Sequence, residues 1–458
     1  MAQYQFARSI PVSTADFDLI VAGGGPGGAA AAIAAGRLGA KVLLIEKTGC
    51  LGGMATSGLV TAFDPMANGE TMLVGGIMRE IVETLYREGG LGPQVTPDYY
   101  LKRYHCWTPF RVEHLKLLLD RLALDAGVEI RFFTTLIDAD AEQGRVRGVI
   151  VNSIEGHEYI RAKAFIDATG DAVFAKLCGA PVVEAGRDGE PEAMPPTLTS
   201  LFAGIDWGTV DRSTEHPMLL KAVEDGVFMD RDRHLPGMSQ VGQTLGYLNG
   251  GHIFHADGLR VADQTRGMII GRRKAKEYEN FYRTYLNGCQ NIEHVTTASL
   301  LGVRESRRIV GEYRLNFNDY LARRWFPDQI GIFNKFVDIH AHDTSDKEYE
   351  RLNEEIHKSG RLGVGESFGI PYSILVPKNW ENLWVAGRCN SSDVKVHGSI
   401  RVQPAAAMMG QAAGTAAVQS IRTGQPACDL DTERLVLTLR EQGANLPQEK
   451  LSKVMTRE

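Results

Sequence analysis

The sequence lacks several features that would place the protein outside a reducing, aqueous compartment. No two of its six cysteines form a Cys-x-x-Cys pair, so we expect free thiols and exclude a dithiol-disulfide reductase. No stretch approaches the roughly 18 uninterrupted apolar residues of a membrane-spanning helix. Residues 1–18 contain no continuous apolar core of the kind a signal peptide needs. These absences predict a cytoplasmic protein.

An excess of basic residues is also missing. The chain has 50 Lys and Arg against 56 Asp and Glu, a formal net charge of −6. Nucleic acid is therefore not an expected partner, and the basic run Arg272-Arg273-Lys274 is predicted to be a solvated helix face. We expect a small-molecule substrate, an electron acceptor that the sequence does not identify, and no membrane partner. A homo-oligomer is left open.

Glycine, in contrast, is abundant, with 50 residues spread through a chain of 458. That length predicts two or three domains. Near the start, a buried strand, a glycine turn, a helix and a second strand form a β-turn-α-β unit over residues 17–45. The remaining predictions are helices at 75–88, 112–126 and 404–422, strands at 128–134, 164–168 and 382–386, and an antiparallel meander at 137–141, 146–153 and 158–162.

The glycine turn carries a dinucleotide-binding pattern, because Gly23-Gly24-Gly25-Pro26-Gly27-Gly28 satisfies G-x-G-x-x-G. Gly23 permits the tight turn, Gly25 leaves room for a pyrophosphate, and Gly28 lets the helix pack closely on the strand. Glu46 ends the second strand, where its carboxylate can accept hydrogen bonds from ribose hydroxyls and would repel a 2′-phosphate. The unit therefore predicts a dinucleotide other than NADP.

Three further segments favour FAD over NAD. Gly52-Gly53 follows Glu46, where an extended FAD must pass the backbone, and Asp167-Ala168-Thr169-Gly170-Asp171 ends a buried strand. Leu383-Trp384-Val385-Ala386-Gly387-Arg388 lies far along the chain and precedes a new helix. An NAD-binding domain has no need of so distant a third segment.

These stretches and several later ones carry a family resemblance. The chain resembles the bacterial FAD-dependent oxidoreductases with a glutathione-reductase-like flavin domain, and more distantly the fumarate reductase flavoproteins and the tRNA-modifying flavoenzymes. Together the matching stretches cover somewhat over half the chain. They are the glycine turn with Glu46, residues 51–56 and 167–171, Gly302-Val303-Arg304-Glu305-Ser306-Arg307-Arg308-Ile309-Val310-Gly311, Gly369-Ile370-Pro371-Tyr372, and residues 385–388, 398–402 and 410–414.

The resemblance implies where FAD would lie. Gly387 and Arg388 would approach the ribitol or pyrophosphate, and the helix beginning near Pro404-Ala405-Ala406 would direct its amino-terminal amides at the flavin. The full set of expected cofactor-binding residues is Gly23, Gly25, Pro26, Gly27, Gly28, Glu46, Lys47, Gly52, Gly53, Met54, Leu136, Ala168, Gly170, Asp171, Gly387, Arg388, Ala405 and Ala406.

The expected fold class is α/β. We expect a discontinuous Rossmann-type, glutathione-reductase-like FAD-binding domain over residues 16–195 and 362–425. An α+β substrate or cap domain is expected to be inserted at residues 196–361, and a helical tail at 426–458.

Two residues near the expected flavin are catalytic candidates. His397 and Arg401 flank Gly398-Ser399-Ile400, just before the flavin-facing helix. His397 is either a general base or anion clamp, or a loop histidine bonded to backbone. Arg401 either clamps a substrate carboxylate or pairs with a structural acid or a backbone carbonyl.

Further candidates lie in the middle of the chain. Arg304, Glu305, Arg307 and Arg308 fall within about one helical turn. Either at least one of them points to the substrate, for which Arg304 is our choice, or they form an ion-paired face of one helix. His252 and His255 could reach the cavity if their segment is a strand. Their spacing is also seen in metal sites, but no nearby carboxylate or cysteine completes a set, so no metal is expected. His340 and His342 are expected to be structural.

The most consistent function is an FAD-dependent oxidoreductase that transfers a hydride between a small organic metabolite and flavin. No second G-x-G-x-x-G unit with a following acid occurs, which disfavours NAD(P)H reduction through a domain of its own. Two alternatives stay open. One is a non-redox flavoenzyme such as an isomerase or hydratase, and the other, disfavoured by the net negative charge, is a tRNA-modifying flavoprotein.

Overall fold

Strands and helices alternate at the start of the chain, as the sequence pattern predicts. The structure is a computed structural model that describes residues 8–102, 106–187, 189–358 and 361–447. The helices are α1 Pro26–Arg37, α2 Gly76–Arg87, α3 Pro97–Lys102, α4 Val112–Asp125, α5 Val173–Cys178, α6 Glu215–Glu224, α7 Val261–Tyr285, α8 Phe317–Leu321, α9 Asp346–Lys358, α10 Val394–Ile400, α11 Gln403–Thr423 and α12 Thr432–Glu441.

The strands belong to one large sheet, one four-stranded sheet and three short pairs within these residues. They are β1 Phe17–Ala22, β2 Val42–Ile45, β3 Ala62–Phe63, β4 Thr108–Pro109, β5 Glu129–Arg131, β6 Thr135–Glu142, β7 Arg145–Ser153, β8 Gly156–Asp167, β9 Val182–Glu184, β10 Ser200–Ala203, β11 Ser239–Gln240, β12 Gly246–Leu248, β13 Glu293–Thr297, β14 Arg307–Ile309, β15 Gln329–Phe333, β16 Phe368–Pro371 and β17 Leu383–Val385.

The large sheet has a parallel part that sets the position of the site. Its strands lie in the order β5-β2-β1-β8, and β17 pairs with the far side of β8. Ala22 pairs with both Ile45 and Asp167, and Asp167 also pairs with Val385, so four strands end at one edge. In such sheets ligands bind in the crevice beyond the carboxyl ends of the strands. The predicted α/β, Rossmann-type fold class is confirmed.

β8 serves two parts of the sheet at once. Its first half pairs antiparallel with β7, and its second half pairs parallel with β1. The prediction of separate strands at 158–162 and 164–168 was therefore wrong, because the chain continues without a break. The predicted turn at Gln143-Gly144 is confirmed, and both residues have positive φ, 51° and 80°, as a tight hairpin turn requires.

Helices α1 and α11 pack closely through small residues. A Cβ atom added to Gly410 would lie 1.9 Å from the carbonyl oxygen of Gly27, and one added to Gly414 would lie 2.2 Å from that of Ala31. Only glycine permits these backbones to approach so closely. The contact brings the amino end of α11 beside the glycine turn, although the two lie at opposite ends of the sequence.

The middle of the chain forms a second sheet. Its strand order is β11-β12-β10-β13, and α7 covers it with a core that includes Phe202, Tyr278 and Phe281. α7 carries the basic run, but Lys274 is buried, which corrects the expectation of a solvated face for this residue. The domain limits at 195, 361 and 425 remain predictions. Part of the predicted tail, residues 448–458, lies outside the described residues.

Among the described residues there is neither a disulfide nor a helix suited to span a membrane. All six cysteines are described and all are free, as expected. No helix among the described residues is long and apolar enough to cross a membrane.

Candidate active site

The glycine turn lies at the carboxyl end of β1, and its glycines are required by close backbone contacts. A Cβ atom on Gly23, whose φ is +99°, would lie 2.5 Å from the carbonyl oxygen of Ala168. One on Gly28 would lie 1.8 Å from the carbonyl oxygen of Gly23. At Gly25, in contrast, an added Cβ meets no atom within 4 Å. Gly25 therefore faces open space, as a phosphate-binding position should.

Glu46 is fixed against the same turn. Its Oε2 accepts a 2.7 Å hydrogen bond from the Gly24 N–H, and its Oε1 accepts 2.8 Å bonds from the N–H and hydroxyl of Thr48. The Glu46 carbonyl accepts from the Thr134 N–H, which places the start of β6, and with it the buried Leu136, close by. The side chain of Lys47 is exposed.

The distant segments meet at this turn. The Gly52 N–H donates to the Gly24 carbonyl at 2.7 Å, and a Cβ on Gly53 would lie 2.9 Å from the Cα of Gly25. Met54 follows, half-buried, in the same short turn of helix. A Cβ on Gly27 would lie 3.2 Å from the Ala386 carbonyl carbon and from the Ala406 carbonyl oxygen. The structure thus brings together three stretches that are far apart in the sequence.

Arg388 connects the loop after β17 to the loop after β8 and to Val303. Its Nε donates to the Gly170 carbonyl at 2.8 Å, and its two Nη atoms donate to the Val303 carbonyl and to the Asp171 carboxylate. Asp171 also accepts a 2.5 Å bond from the Ser306 hydroxyl. These contacts hold the loop after β17 against the loop after β8. A direct contact between Arg388 and FAD remains a prediction.

The residues at this crevice fit the dinucleotide that the sequence predicts. Pro26 occupies the first turn of α1, where its missing N–H is not needed. Ala405 and Ala406 lie in the first turn of α11. The Ala406 N–H donates to the Val402 carbonyl at 3.0 Å, whereas the Ala405 N–H has no partner within the helix. Beside them the buried Gln403 donates to the Val60 carbonyl at 2.7 Å, while its Oε1 has no partner among the described residues. Two helix amino ends therefore favour an anionic ligand.

His397 lies on α10, a short helix where the sequence predicted a loop. Its Nε2 lies 3.2 Å from the Arg304 carbonyl oxygen, so this nitrogen carries the proton. Its Nδ1 is buried and has no hydrogen-bond partner in the described part of the chain. Burial, together with the nearby Arg308 and Arg401, lowers the pKa of His397 well below its usual value. The ring is therefore neutral, with one available lone pair.

Arg304 is buried, Arg401 is nearly so with its side chain 12% exposed, and both lie near Asp338. Arg401 Nη2 donates to Asp338 Oδ2 at 3.0 Å, whereas its buried Nε has no partner among the described residues. Arg304 Nη1 donates to the Pro195 carbonyl at 2.5 Å. Burial and then the charge of Arg401 lower the pKa of Arg304 to about 9. Burial also lowers the pKa of Arg401, although Asp338 opposes this.

The segment around Arg304 is extended, so the predicted helical turn was wrong. Residues 307–309 form β14, which pairs with β9, and the preceding residues are irregular. Arg307 pairs with Glu184 at 2.8 Å, and Arg308 pairs with Glu305 and Glu190, each at 2.5 Å. The ion pairs are therefore tertiary contacts, apart from Arg308–Glu305. Of the three arginines, Arg304 alone faces the histidines described next.

His252 belongs to a group of three histidines that the sequence did not reveal. Its Nε2 lies 2.9 Å from Nδ1 of His340, and a ring nitrogen of His234 completes a group within 4.8 Å. Residues 250–255 do not form a strand, and His255 points to solvent with its side chain 69% exposed. The strand on which His252 and His255 could both have reached the cavity is therefore absent, and His340, expected to be structural, joins His252 instead.

Acidic and basic side chains surround this triad of His234, His252 and His340. His252 Nδ1 lies 3.1 Å from Asp232 Oδ2, and His340 Nε2 lies 3.5 Å from Asp338 Oδ1. Lys274 donates to the His252 carbonyl at 2.6 Å. A repeated sequence signal was available, because Asp232-Arg233-His234 and Asp338-Ile339-His340 are both Asp-x-His.

Burial keeps all three rings of the triad neutral. It lowers the pKa of His252 and of His340, and it lowers the pKa of His234 to about 4. Burial alone raises the pKa of Asp232, but hydrogen bonds from the His252 side chain and from the backbone N–H groups of His234 and His252 more than offset this, so the pKa ends below its usual value. Asp232 is therefore ionised.

Comparison with known proteins gives one family match and one curated relative. A model of the FAD dependent oxidoreductase family matches residues 18–439. Digeranylgeranylglycerophospholipid reductase 2 of Methanopyrus kandleri is 28% identical over 163 residues, which are 34% of this chain. The match spans only 38% of that relative's own length.

Two solved structures resemble the chain over most of its length. A geranylgeranyl bacteriochlorophyll reductase-like protein from Thermoplasma acidophilum is 14% identical, with a TM-score of 0.44 over 96% of this chain and 90% of its own. The flavin-dependent brominase Bmp2 is 13% identical, with a TM-score of 0.45 over 93% of this chain and 83% of its own. Similarity at this level does not bear on the reaction.

Proposed function

The chain belongs to the FAD dependent oxidoreductase family, and from that premise we propose that it transfers a hydride between FAD and a small metabolite that carries a carboxylate. When bound, FAD supplies the hydride chemistry. The chain's own residues bind the substrate, orient it and exclude water. The observation that carries the proposal is the closeness of two guanidinium groups, the buried Arg304 and the nearly buried Arg401, which repel each other even though Asp338, Asp232 and Glu305 lie near them.

The cofactor side of the proposal uses the residues that converge on the glycine turn. Gly25 and the amino ends of α1 and α11 would hold the pyrophosphate and the flavin, and Glu46 would accept from the ribose. Arg401 directly precedes Val402, the residue that caps α11. This adjacency supports a substrate site next to the helix end that is expected to face the ring.

Arg401 and Arg304 are proposed to clamp the substrate carboxylate. Burial lowers the pKa of both guanidinium groups, and repulsion from Arg401 lowers the pKa of Arg304 further. A carboxylate bound between the two guanidinium groups would relieve that repulsion and would accept a hydrogen bond from the Arg401 Nε, which has no partner among the described residues. Arg-carboxylate bonds fix orientation as well as position, so the clamp would align the substrate for transfer.

His397 is proposed to hold a substrate hydroxyl or amine. Because its proton lies on Nε2, the lone pair of Nδ1 can accept a hydrogen bond. The low pKa of His397 opposes a lasting positive charge on the ring. We therefore assign His397 to accepting a hydrogen bond from the substrate, which orients that proton, rather than to carrying the proton as a cation.

Anaerobic titration of the holoprotein tests this function. Small hydroxy and amino acids are added one at a time, each beside its uncharged amide, while the oxidised flavin band is followed. We expect at least one acid, but not its amide, to bleach the band. In Arg401→Gln the concentration needed should rise about 10- to 150-fold, because one charge-assisted hydrogen bond contributes roughly 1.5–3 kcal/mol.

Arg121→Gln is the matched control, since Arg121 forms an exposed ion pair with Glu88 at 2.7 Å. Its titration should match that of the wild type. Bleaching by the amide as readily as by the acid would refute the clamp. Conversion of a compound with no bleaching would show a non-redox reaction, the isomerase or hydratase alternative.

A further inference from the structure

The histidine triad has the arrangement of a metal-binding site. Three ring nitrogens from three separate segments lie within 4.8 Å of one another, and His252 and His340 are buried. A metal ion bonded to imidazoles at about 2.0–2.1 Å separates neighbouring ligand nitrogens by roughly 3.0–3.4 Å. Small side-chain adjustments bring the triad to these distances. We propose that His234, His252 and His340 bind one divalent first-row transition metal ion.

Two carboxylates are placed as outer partners of the ligands. Asp232 lies 3.1 Å from Nδ1 of His252, and its position leaves Nε2 of that ring facing His340. Asp232 is itself held, since it accepts from the His234 N–H at 3.0 Å and from the Tyr349 hydroxyl at 3.2 Å. Metal-binding histidines commonly donate their second ring N–H to such a carboxylate, which fixes the tautomer and orients the ring.

Without a metal ion, the single N–H of His340 cannot satisfy both of the acceptors that face its ring. The Nε2 of His252 is an acceptor, because its proton lies on Nδ1 beside Asp232. On its other side His340 faces Asp338, a second acceptor, at 3.5 Å. A neutral imidazole has only one N–H for these two acceptors. A metal ion bound to Nδ1 of His340 and Nε2 of His252 would use both lone pairs and free the His340 N–H for Asp338.

The ligand type indicates the class of metal. Three imidazoles suit Zn²⁺, Fe²⁺, Co²⁺, Ni²⁺ or Cu²⁺, whereas Mg²⁺ and Ca²⁺ require oxygen ligands. Arg304, Lys274 and Arg401 all place positive charge near the triad. Lys274 is paired with Asp230 and Arg401 with Asp338, and Asp232 adds a negative charge beside His252. Three protein ligands leave at least one position for water or a substrate oxygen, as in catalytic rather than structural sites.

Co²⁺ titration tests the site without any assay of activity. Four-coordinate Co²⁺ absorbs visible light strongly, and difference spectra separate its bands from the flavin band. We expect purified holoprotein, stripped of metal, to bind one Co²⁺ per chain with such bands and to lose them when Zn²⁺ is added. Asp232→Asn should weaken Co²⁺ binding by about 10- to 100-fold, as is typical when an outer partner is removed.

Ligand variants identify the residues. His252→Gln and His234→Gln should each abolish the Co²⁺ bands, while His255→Gln, altered at an exposed histidine three residues from His252, should bind as the wild type does. Far-ultraviolet circular dichroism and retained flavin report whether each variant is folded. His234 is only half-buried, so its variant gives a result even where the His252 change disrupts folding.

Two results would overturn the proposal. One is wild-type holoprotein that shows no Co²⁺ bands and takes up no Zn²⁺ at one equivalent. The other is a band that persists in folded His234→Gln and His252→Gln, which would place the ion elsewhere. Neither result depends on hydride transfer, so the metal site and the proposed reaction can fail separately.

Discussion

Replacing Gly25 with alanine is expected to leave a folded chain that binds FAD about 100- to 1,000-fold more weakly. Gly25 has φ −63° and ψ −178°, which alanine adopts readily, and the added Cβ touches no protein atom within 4 Å. The methyl group would instead occupy the open space expected to hold the pyrophosphate. Loss of two charge-assisted hydrogen bonds would account for roughly 3–4 kcal/mol.

The measurement is a fluorescence titration of apoprotein with FAD, together with thermal unfolding of the apoprotein. Gly363→Ala is the control, because Gly363 is exposed and an added Cβ there makes only ordinary contacts, the nearest at 3.6 Å. The apoprotein of both variants should unfold as the wild type does. An unchanged FAD affinity in Gly25→Ala would mean that the pyrophosphate lies elsewhere.

Arg308→Met is expected to lower the free energy of unfolding by about 3–5 kcal/mol, because it leaves buried carboxylates without their cation. The Arg308 side chain is 1% exposed and bridges Glu305 and Glu190 at 2.5 Å each. Glu305 is completely buried, so water cannot replace the lost partner. Urea unfolding at one fixed FAD concentration would measure the change, since bound cofactor itself adds stability.

A matched change at the surface separates burial from charge. Arg145 forms an ion pair with Glu381 at 2.8 Å, but both side chains are about half exposed, 59% and 47%. Arg145→Met should therefore alter stability by at most about 1 kcal/mol. Adding Glu305→Gln to Arg308→Met should restore part of the loss, because it removes one of the stranded charges. Equal effects of Arg308→Met and Arg145→Met would refute the burial argument.

The nucleotide-binding part of the fold could be predicted because its signals are local. The glycine turn, Glu46 and the flanking strands lie within 30 residues, and their spacing follows from how a strand, a turn and a helix must pack. The family resemblance implied that Gly387-Arg388 and the helix near Pro404 would lie beside the same cofactor, and the structure brings Ala386 and Ala406 close to Gly27. Composition and periodicity alone would not have supplied that long-range contact.

The charged segment at 304–308 shows where periodicity fails. Arg304, Glu305, Arg307 and Arg308 have the spacing of an ion-paired helix face, yet β14 is extended. The acids that decide the outcome, Glu184 and Glu190, lie more than 100 residues earlier in the chain. Tertiary partners therefore overrode a local pattern, as commonly happens with short elements.

The histidine triad could not be found by spacing, because its members come from three irregular segments. The spacing of metal ligands in a sequence concerns only near neighbours, and His252 has no second ligand of the triad among its own. The two Asp-x-His pairs, Asp232–His234 and Asp338–His340, were the available signal. They mark two carboxylates that each lie next to a ring of the group, but no rule of sequence says that separate pairs will meet in space.

The close contact between α1 and α11 also bears on how the protein is made. At about 5–20 residues per second, a ribosome finishes α11 roughly 20–80 s after α1. During that interval the part of the alanine surface of α1 that packs on α11 is uncovered, because Gly410 and Gly414 of α11 form this contact. We therefore expect this half of the molecule to complete its folding only after α11 has been synthesised, with nascent chains held by chaperones until then.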